Sequence, residues 1–305
     1  MRKISCMLIT LMAALALLVS PHAAGARTSA EQQALRVMTY NIRYNTPADG
    51  GNAWPHRKDM VASMIRFHRP DLVGLQEALR GQNTDLAQRL SNYEWFGVGR
   101  ADGQTEGEYN SIFYRDDRLE LLDHDTFWLS ENPEEPGSMG WDAACPRIVT
   151  WARFRDRVTG GVFYHFNTHF DHRGQQARRE SARLLRSRIG DIAADVPAVV
   201  TGDFNCTEKS RPYRVLVEAG EEARLHDTVK CTGQPHHGPK ATYSGFDPAD
   251  APSRRIDYVF VTNRWQVIRH GTLSDRWNGR YPSDHLPVLA ETVLPRRTAE
   301  NEAMK

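Results

Sequence analysis

Cysteine is scarce in this sequence: four in 305 residues, and Cys6 lies within an N-terminal apolar run. Cys145, Cys206 and Cys231 follow no zinc-ribbon or zinc-finger spacing. Their odd number allows at most one internal bridge, and burial as a small hydrophobic group is the plain expectation for at least one of them. No Gly-x-Ser-x-Gly elbow occurs, which argues against a serine hydrolase. Beyond residue 19 no apolar run is long enough to span a bilayer. Net charge is also missing: 39 basic residues face 38 acidic ones. A near-neutral surface carries no global footprint for nucleic acid, although a local basic groove is compatible with it. There is no fixed-period repeat, no low-complexity tract and no linker dividing the chain. One domain of ordinary soluble composition, 40% hydrophobic and 25% charged, is therefore expected.

Residues 1–26 have the features of a secretory signal. Arg2 and Lys3 precede the apolar stretch Met7–Val19, and Ala24-Gly25-Ala26 offers a cleavage site. Removing that segment takes away two basic residues and leaves a charge of −1. The expectation is a secreted or periplasmic monomer with no stable membrane anchor. A linker at 27–34, a domain at 35–294 and a disordered charged tail at 295–305 complete the division.

Apolar runs ending in polar residues recur along the domain. Residues 35–41 alternate and end in Asn41. Residues 72–77 are apolar and end in Gln76-Glu77. Residues 147–154 and 162–169 read as a hairpin, the second strand ending in His169. Residues 196–200 lead into Gly202-Asp203-Phe204-Asn205. Asp257 opens a strand, and Asp284-His285 occupies a turn before the last one. Helices are expected after Pro55, over 79–90, over 174–192 and over 212–219. Strand pairs and strand–helix alternation together give an α/β (α+β) class, with mixed sheets covered by helices.

The polar ends are chemically coherent: acids, amides and two histidines, with no thiolate. Hard oxygen donors on strand ends suit Mg²⁺ or Mn²⁺ better than zinc. A zinc pair at His236-His237 is disfavoured, because adjacent residues in extended chain point apart. The arginines of 178–188 are interleaved with Glu180 and Asp191, as on a solvated helix face.

Thr39-Tyr40-Asn41, Gln76-Glu77, Asn167-Thr168-His169, Gly202-Asp203-Phe204-Asn205, Arg255-Ile256-Asp257-Tyr258 and Ser283-Asp284-His285 resemble, in this order, the motifs of the endonuclease/exonuclease/phosphatase superfamily. Its members include nucleases, inositol-polyphosphate 5-phosphatases, sphingomyelinases and deadenylases. The resemblance implies a four-layered α/β sandwich of two packed mixed sheets flanked by helices. It implies a metal-dependent phosphoesterase using in-line water attack. Glu77 would be the principal metal ligand, supported by Asn41 and Asp284, and His285 the catalytic histidine oriented by Asp257. Asp203 and Asn205 would handle water and the scissile phosphate. His169 and Arg147 would contact the phosphate, and Glu108 would orient His169. Asp203 and His285 both remain candidates for general base.

Substrate choice is expected in loops 44–54, 99–108, 130–146 and 232–252. A nuclease leads, with a small phosphorylated molecule beside it. A sphingomyelinase-like lipid hydrolase would need an exposed aromatic hairpin, for which Trp141 and Phe246 are the available residues. A non-catalytic binding protein on the same fold is the reading from another class.

Overall fold

The structure is a computed structural model and describes residues 33–218, 223–247 and 254–294. The proposed signal, most of the linker and the tail lie outside these residues. Strand β1 (Leu35–Asn41) crosses over through helix α1 (Lys58–His68) to β2 (Leu72–Gln76), and β1 and β2 pair in parallel. The same unit recurs later: β7 (Val162–His169), α3 (Gln175–Ala193) and β8 (Ala198–Asp203), again parallel. Parallel pairing with a helical crossover puts the C-terminal ends of both strands at one edge.

Around these two units the sheets are completed by antiparallel neighbours. Helix α2 (Arg80–Arg89), β3 (Glu94–Phe96), β4 (Ile112–Tyr114), β5 (Leu119–Trp128) and β6 (Ile148–Asp156) lie between them. Helix α4 (Arg211–Val217), β9 (His226–Asp227), α5 (Thr228–Cys231), β10 (Asp257–Val261), β11 (Gln266–Thr272) and β12 (Val288–Val293) follow. One six-stranded sheet runs β11-β12-β1-β2-β4-β3 and the other β5-β6-β7-β8-β10-β9. Helices α1 and α2 pack on the outer face of the first, and α3 and α4 on that of the second. This is the expected four-layered sandwich.

Period-two alternation sorts each central strand into an outer face against helices and an inner face against the other sheet. The inner faces change character along their length. Leu35 and Val37, Leu72, Phe163, Val199, and Val259 with Val261 form the dry inter-sheet core. The next inner position on several strands is polar and buried: Thr39, Gln76, His165, Asn167 and Thr201. They bond to one another. The Gln76 amide donates to Asn167 Oδ1 (2.7 Å), which also accepts from Thr201 Oγ1 (3.0 Å). Thr201 Oγ1 lies 2.8 Å from His165 Nε2. The sheets meet so closely here that a Cβ on Gly74 would lie 2.1 Å from Thr201 Oγ1. Above this layer, at the strand ends, stand Asn41, His169, Asp203 and Asp257.

The boundaries differ from the sequence reading in places. The helix after Pro55 begins as a 3-10 turn, Trp54–His56, before α1. Strand β9 runs directly into α5, which Asp227 caps by accepting from Val229 N. Cys145, Cys206 and Cys231 are all free thiols, and burial pushes the Cys206 thiol up to about 12. No helix among the described residues is long and apolar enough to cross a membrane.

Candidate metal-dependent phosphoester site

Because β8 and β10 pair antiparallel with Asp203 opposite Asp257, the end of one strand meets the start of the other. The turn carrying Asp284 and His285 is tied to β1 through Ser283 Oγ, which donates to Asn41 O (2.7 Å). Asn41 is the centre. Its side-chain amide donates to Glu77 Oε1 and to Asp203 Oδ2, both at 3.0 Å, and lies 3.5 Å from His285 Nε2. Its amide oxygen accepts from Arg43 N at 3.0 Å.

Glu77 and Asn205 hold positive backbone φ, 61° and 46°. A non-glycine residue there is disfavoured and persists where the surroundings fix it. Glu77 is fixed by Asn41 and by Tyr44 N, which donates to Oε2 at 3.2 Å. Asn205 N donates to Asp203 Oδ1, and the Asn205 amide reaches both His169 Nε2 and Phe170 O, each at 3.0 Å.

His285 Nδ1 sits 2.9 Å from Asp257 Oδ2, and its Nε2 lies 3.7 Å from Asp203 Oδ2. Burial works against charge on His285, but Asp257 and Asp203 outweigh it and hold the imidazole pKa well above its ordinary value. Burial, reinforced by Asp257, pushes Asp203 up to about 7 against the pull of His285. Burial also raises Asp284, as does the nearby Glu77 charge. His169 is pushed the other way, well below an ordinary histidine, by burial and then by Arg147 and Arg100.

Glu77, His169 and Asp203 offer ligand atoms within 4.8 Å of one another, and so do Asp203, Asp257 and His285. Two buried-side carboxylates gathered on one amide repel each other unless a cation lies between them. That donor set fits a hard divalent ion at Glu77 and Asp203, with His169 beside it. Asp284 belongs to neither close group.

Glu108 departs from expectation. Its carboxylate is held in a fork by Arg100, at 2.7 and 2.8 Å, while His169 Nδ1 is buried with no partner. Two charge-assisted bonds to a planar guanidinium satisfy both carboxylate oxygens at once. Arg147 is 4% exposed. It reaches Asp171 (3.4 Å) and His172 Nδ1 (2.9 Å), leaving Nη1 without a partner beside the site. His236 turns to His270, Nδ1 to Nδ1 at 3.0 Å, and His237 is exposed, so the two adjacent histidines do not converge. Phe246 packs over the Arg57 guanidinium at 5.3 Å and forms no exposed aromatic hairpin.

Arg57 is a residue the sequence reading missed. It is fully buried, and it donates to the carbonyls of Asn52, Ile42, Arg43 and Pro282. One side chain thus clamps the loop after β1 to the segment leading into Asp284. An arginine two residues from a proline at a helix start gave no periodic signal.

A buried carboxylate cluster at the strand ends of a double-sheet sandwich, flanked by two histidines, defines a class: hydrolases that act on phosphoric esters with a divalent metal. The chain belongs to the endonuclease/exonuclease/phosphatase family, whose profile matches residues 38–285. It is similar to the family member solved from Bacteroides vulgatus, with 44% identity and a TM-score of 0.82 over 86% of this chain and 99% of that one. It is also similar to the mannosyl-6-phosphatase of Bacteroides thetaiotaomicron, with 37% identity and a TM-score of 0.81 over 85% and 99%. Drosophila melanogaster nocturnin is 28% identical over 54% of this chain. The chain spans 26% of nocturnin and 44% of a mimivirus relative, less than half of either. The protein is a divalent-metal-dependent phosphoesterase.

Proposed function

We propose that this enzyme hydrolyses the phosphomonoester of a small molecule with an uncharged body, a sugar phosphate first. The observation that carries the reading is charge balance among three arginines around the site. Arg43 is matched by Asp49, Arg100 by Glu108 and Arg147 by Asp171. A groove for a long polyanion needs unmatched cations along its path, and these three arginines are already neutralised. Full-length similarity to a mannosyl-6-phosphatase supports the same reading.

In this reading Glu77 and Asp203 would hold Mg²⁺ or Mn²⁺, which would supply Lewis-acid neutralisation of the phosphate oxygens. The Arg147 Nη1 donor and the His169 and Asn205 side chains bind the phosphate. Asp203, whose Oδ2 lies 3.7 Å from His285 Nε2, positions the attacking water. The His285 imidazolium, oriented by Asp257, faces the same centre as a proton donor. The enzyme acts outside the cytoplasm, as the 1–26 segment suggests, and as a monomer. Mass spectrometry should find an exported chain lacking residues 1–26 and light scattering a single-chain mass, and a retained segment or a dimer mass would refute the corresponding part.

The test is a panel with Mg²⁺, Mn²⁺ and Ca²⁺ on mannose 6-phosphate, glucose 6-phosphate, bis(p-nitrophenyl) phosphate and single-stranded DNA. Sugar monoesters should exceed diesters about tenfold or more in kcat/KM. Chelation and Glu77→Ala should each remove most activity. A preference for DNA or the diester overturns the proposal.

A further inference from the structure

We propose that the Arg100–Glu108 pair is a specificity element that recognises vicinal hydroxyls on the leaving group, making the substrate's body a polyol. This rests on the sugar-phosphate reading above and assigns residues to it.

The pair stands beside the reacting centre. Tyr109 N donates to Ala78 O (2.7 Å), bridging the residue after Glu108 to the residue after Glu77. Asn110 Nδ2 donates to Ile148 O (2.7 Å), next to Arg147. Glu108 is therefore held between the metal carboxylate and the phosphate-side arginine. Burial raises its pKa, with Glu77 adding to the effect and Arg100 and Arg147 opposing it, as that position requires.

The pair is also rigidly presented. Within loop 99–108, Arg100 N donates to Glu108 O (3.0 Å) and Ala101 N to Glu106 O (3.0 Å). The Asp102 carboxylate accepts from Gln104 N and Glu106 N. Arg100 O accepts the indole N–H of the buried Trp128 at 2.8 Å. A Cβ on Gly99 would lie 2.2 Å from Glu106 O, so the loop closes only with glycine there. A loop this internally bonded is ordered before any ligand arrives, which lowers the cost of recognition.

Its chemistry selects a neutral, hydroxyl-rich partner. The fork uses two guanidinium donors and one lone pair on each carboxylate oxygen. The remaining donors and the outer lone pairs stay open. As a unit the pair has no net charge and gives a second anion little attraction. A diol can both donate to the carboxylate and accept from the guanidinium. Removing either partner leaves a part-buried charged group unmatched, and a site built around hydroxyls rejects analogues lacking them in the same way.

The experiment compares mannose 6-phosphate with p-nitrophenyl phosphate, whose leaving group has no diol. Wild type, Arg100→Ala, Arg100→Lys and Glu108→Gln are assayed at saturating Mg²⁺. Arg100→Lys keeps the charge but loses the fork, and serves if the alanine variant fails to fold. The ratio of kcat/KM values, sugar over aryl phosphate, should fall about tenfold or more in the variants, mainly through KM. An unchanged ratio overturns the proposal. So does an equal fall in kcat on both substrates, which would make Glu108 a partner of His169 or the metal. A wild-type enzyme that does not favour the sugar ester at all instead overturns the sugar-phosphate reading itself.

Discussion

His165 should make the protein sensitive to acid, by an amount that can be worked out. It is fully buried between the sheets, and burial pushes its pKa down to about 3. Thr201 Oγ1 donates to Asn167, so it accepts from His165 Nε2, and the unprotonated Nδ1 has no partner. A second proton would place an N–H where nothing accepts it. In the unfolded chain the same ring titrates near 6.5. Because the folded value is depressed, this contribution to stability is complete above about pH 6.5 and is lost as pH falls toward 3. Between pH 7 and pH 5 the unfolded state gains about 2 kcal/mol from this one proton. His165→Gln keeps a donor for Thr201 and cannot titrate. Urea unfolding of both proteins at pH 7 and pH 5 should show the variant losing about 2 kcal/mol less over that interval. The comparison is of slopes, so any cost of the substitution at pH 7 cancels. If both lose the same amount, His165 is either already protonated in the fold or reached by water, and the argument fails.

Three further outcomes follow from packing and charge. Gly74→Ala places a Cβ 2.1 Å from Thr201 Oγ1 and 2.4 Å from Asn167 Oδ1. Overpacking should cost about 1–3 kcal/mol, read as a lower urea midpoint at unchanged m-value. Arg57→Met removes a donor from four carbonyls. It should lower stability by about 3 kcal/mol and raise the Mg²⁺ concentration for half-maximal activity, with Arg57→Lys recovering little of either. Unchanged metal activation would limit Arg57 to a packing role. Asp257→Asn removes the carboxylate 2.9 Å from His285 Nδ1. The limb of the kcat/KM pH profile that belongs to His285 should move down by about a unit or more, and a fixed limb would refute the electrostatic pairing.

Much of the site was legible because it sits where strands end. Asn41, Glu77, His169, Asp203 and Asp257 each bound an apolar run, and a run is visible without knowing its neighbours. The β6–β7 hairpin was equally visible from alternation around Thr159-Gly160-Gly161. What stayed hidden depends on contacts between distant segments. Arg100 and Glu108 meet across a loop closed by backbone bonds, so the sequence offered Glu108 to His169 and the fold gave it to Arg100. His236 turns to His270, a partner 34 residues away, where only its neighbour His237 was considered. The polar layer beneath the site left a trace that alternation could have found: Thr39, His165, Asn167 and Thr201 interrupt inner faces that are otherwise apolar.

The layered inner faces of β1, β2, β7 and β8 also make catalysis a gauge of register. Strands β1, β7 and β8 each carry, on one face and in order, an apolar, a polar and a site position, and in β2 Leu72, Gly74 and Gln76 share that face while Glu77 follows the strand at positive φ. A shift of one residue in any of them would exchange that face for the helix-facing one. It would send carboxylates into the hydrocarbon under α1 or α3 and aliphatic groups into the metal site. Asn41 and Asp203, 162 residues apart, and Asn41 and His285, 244 apart, come together only when every strand is seated. A turnover measurement is therefore expected to report on strand register as well as on chemistry.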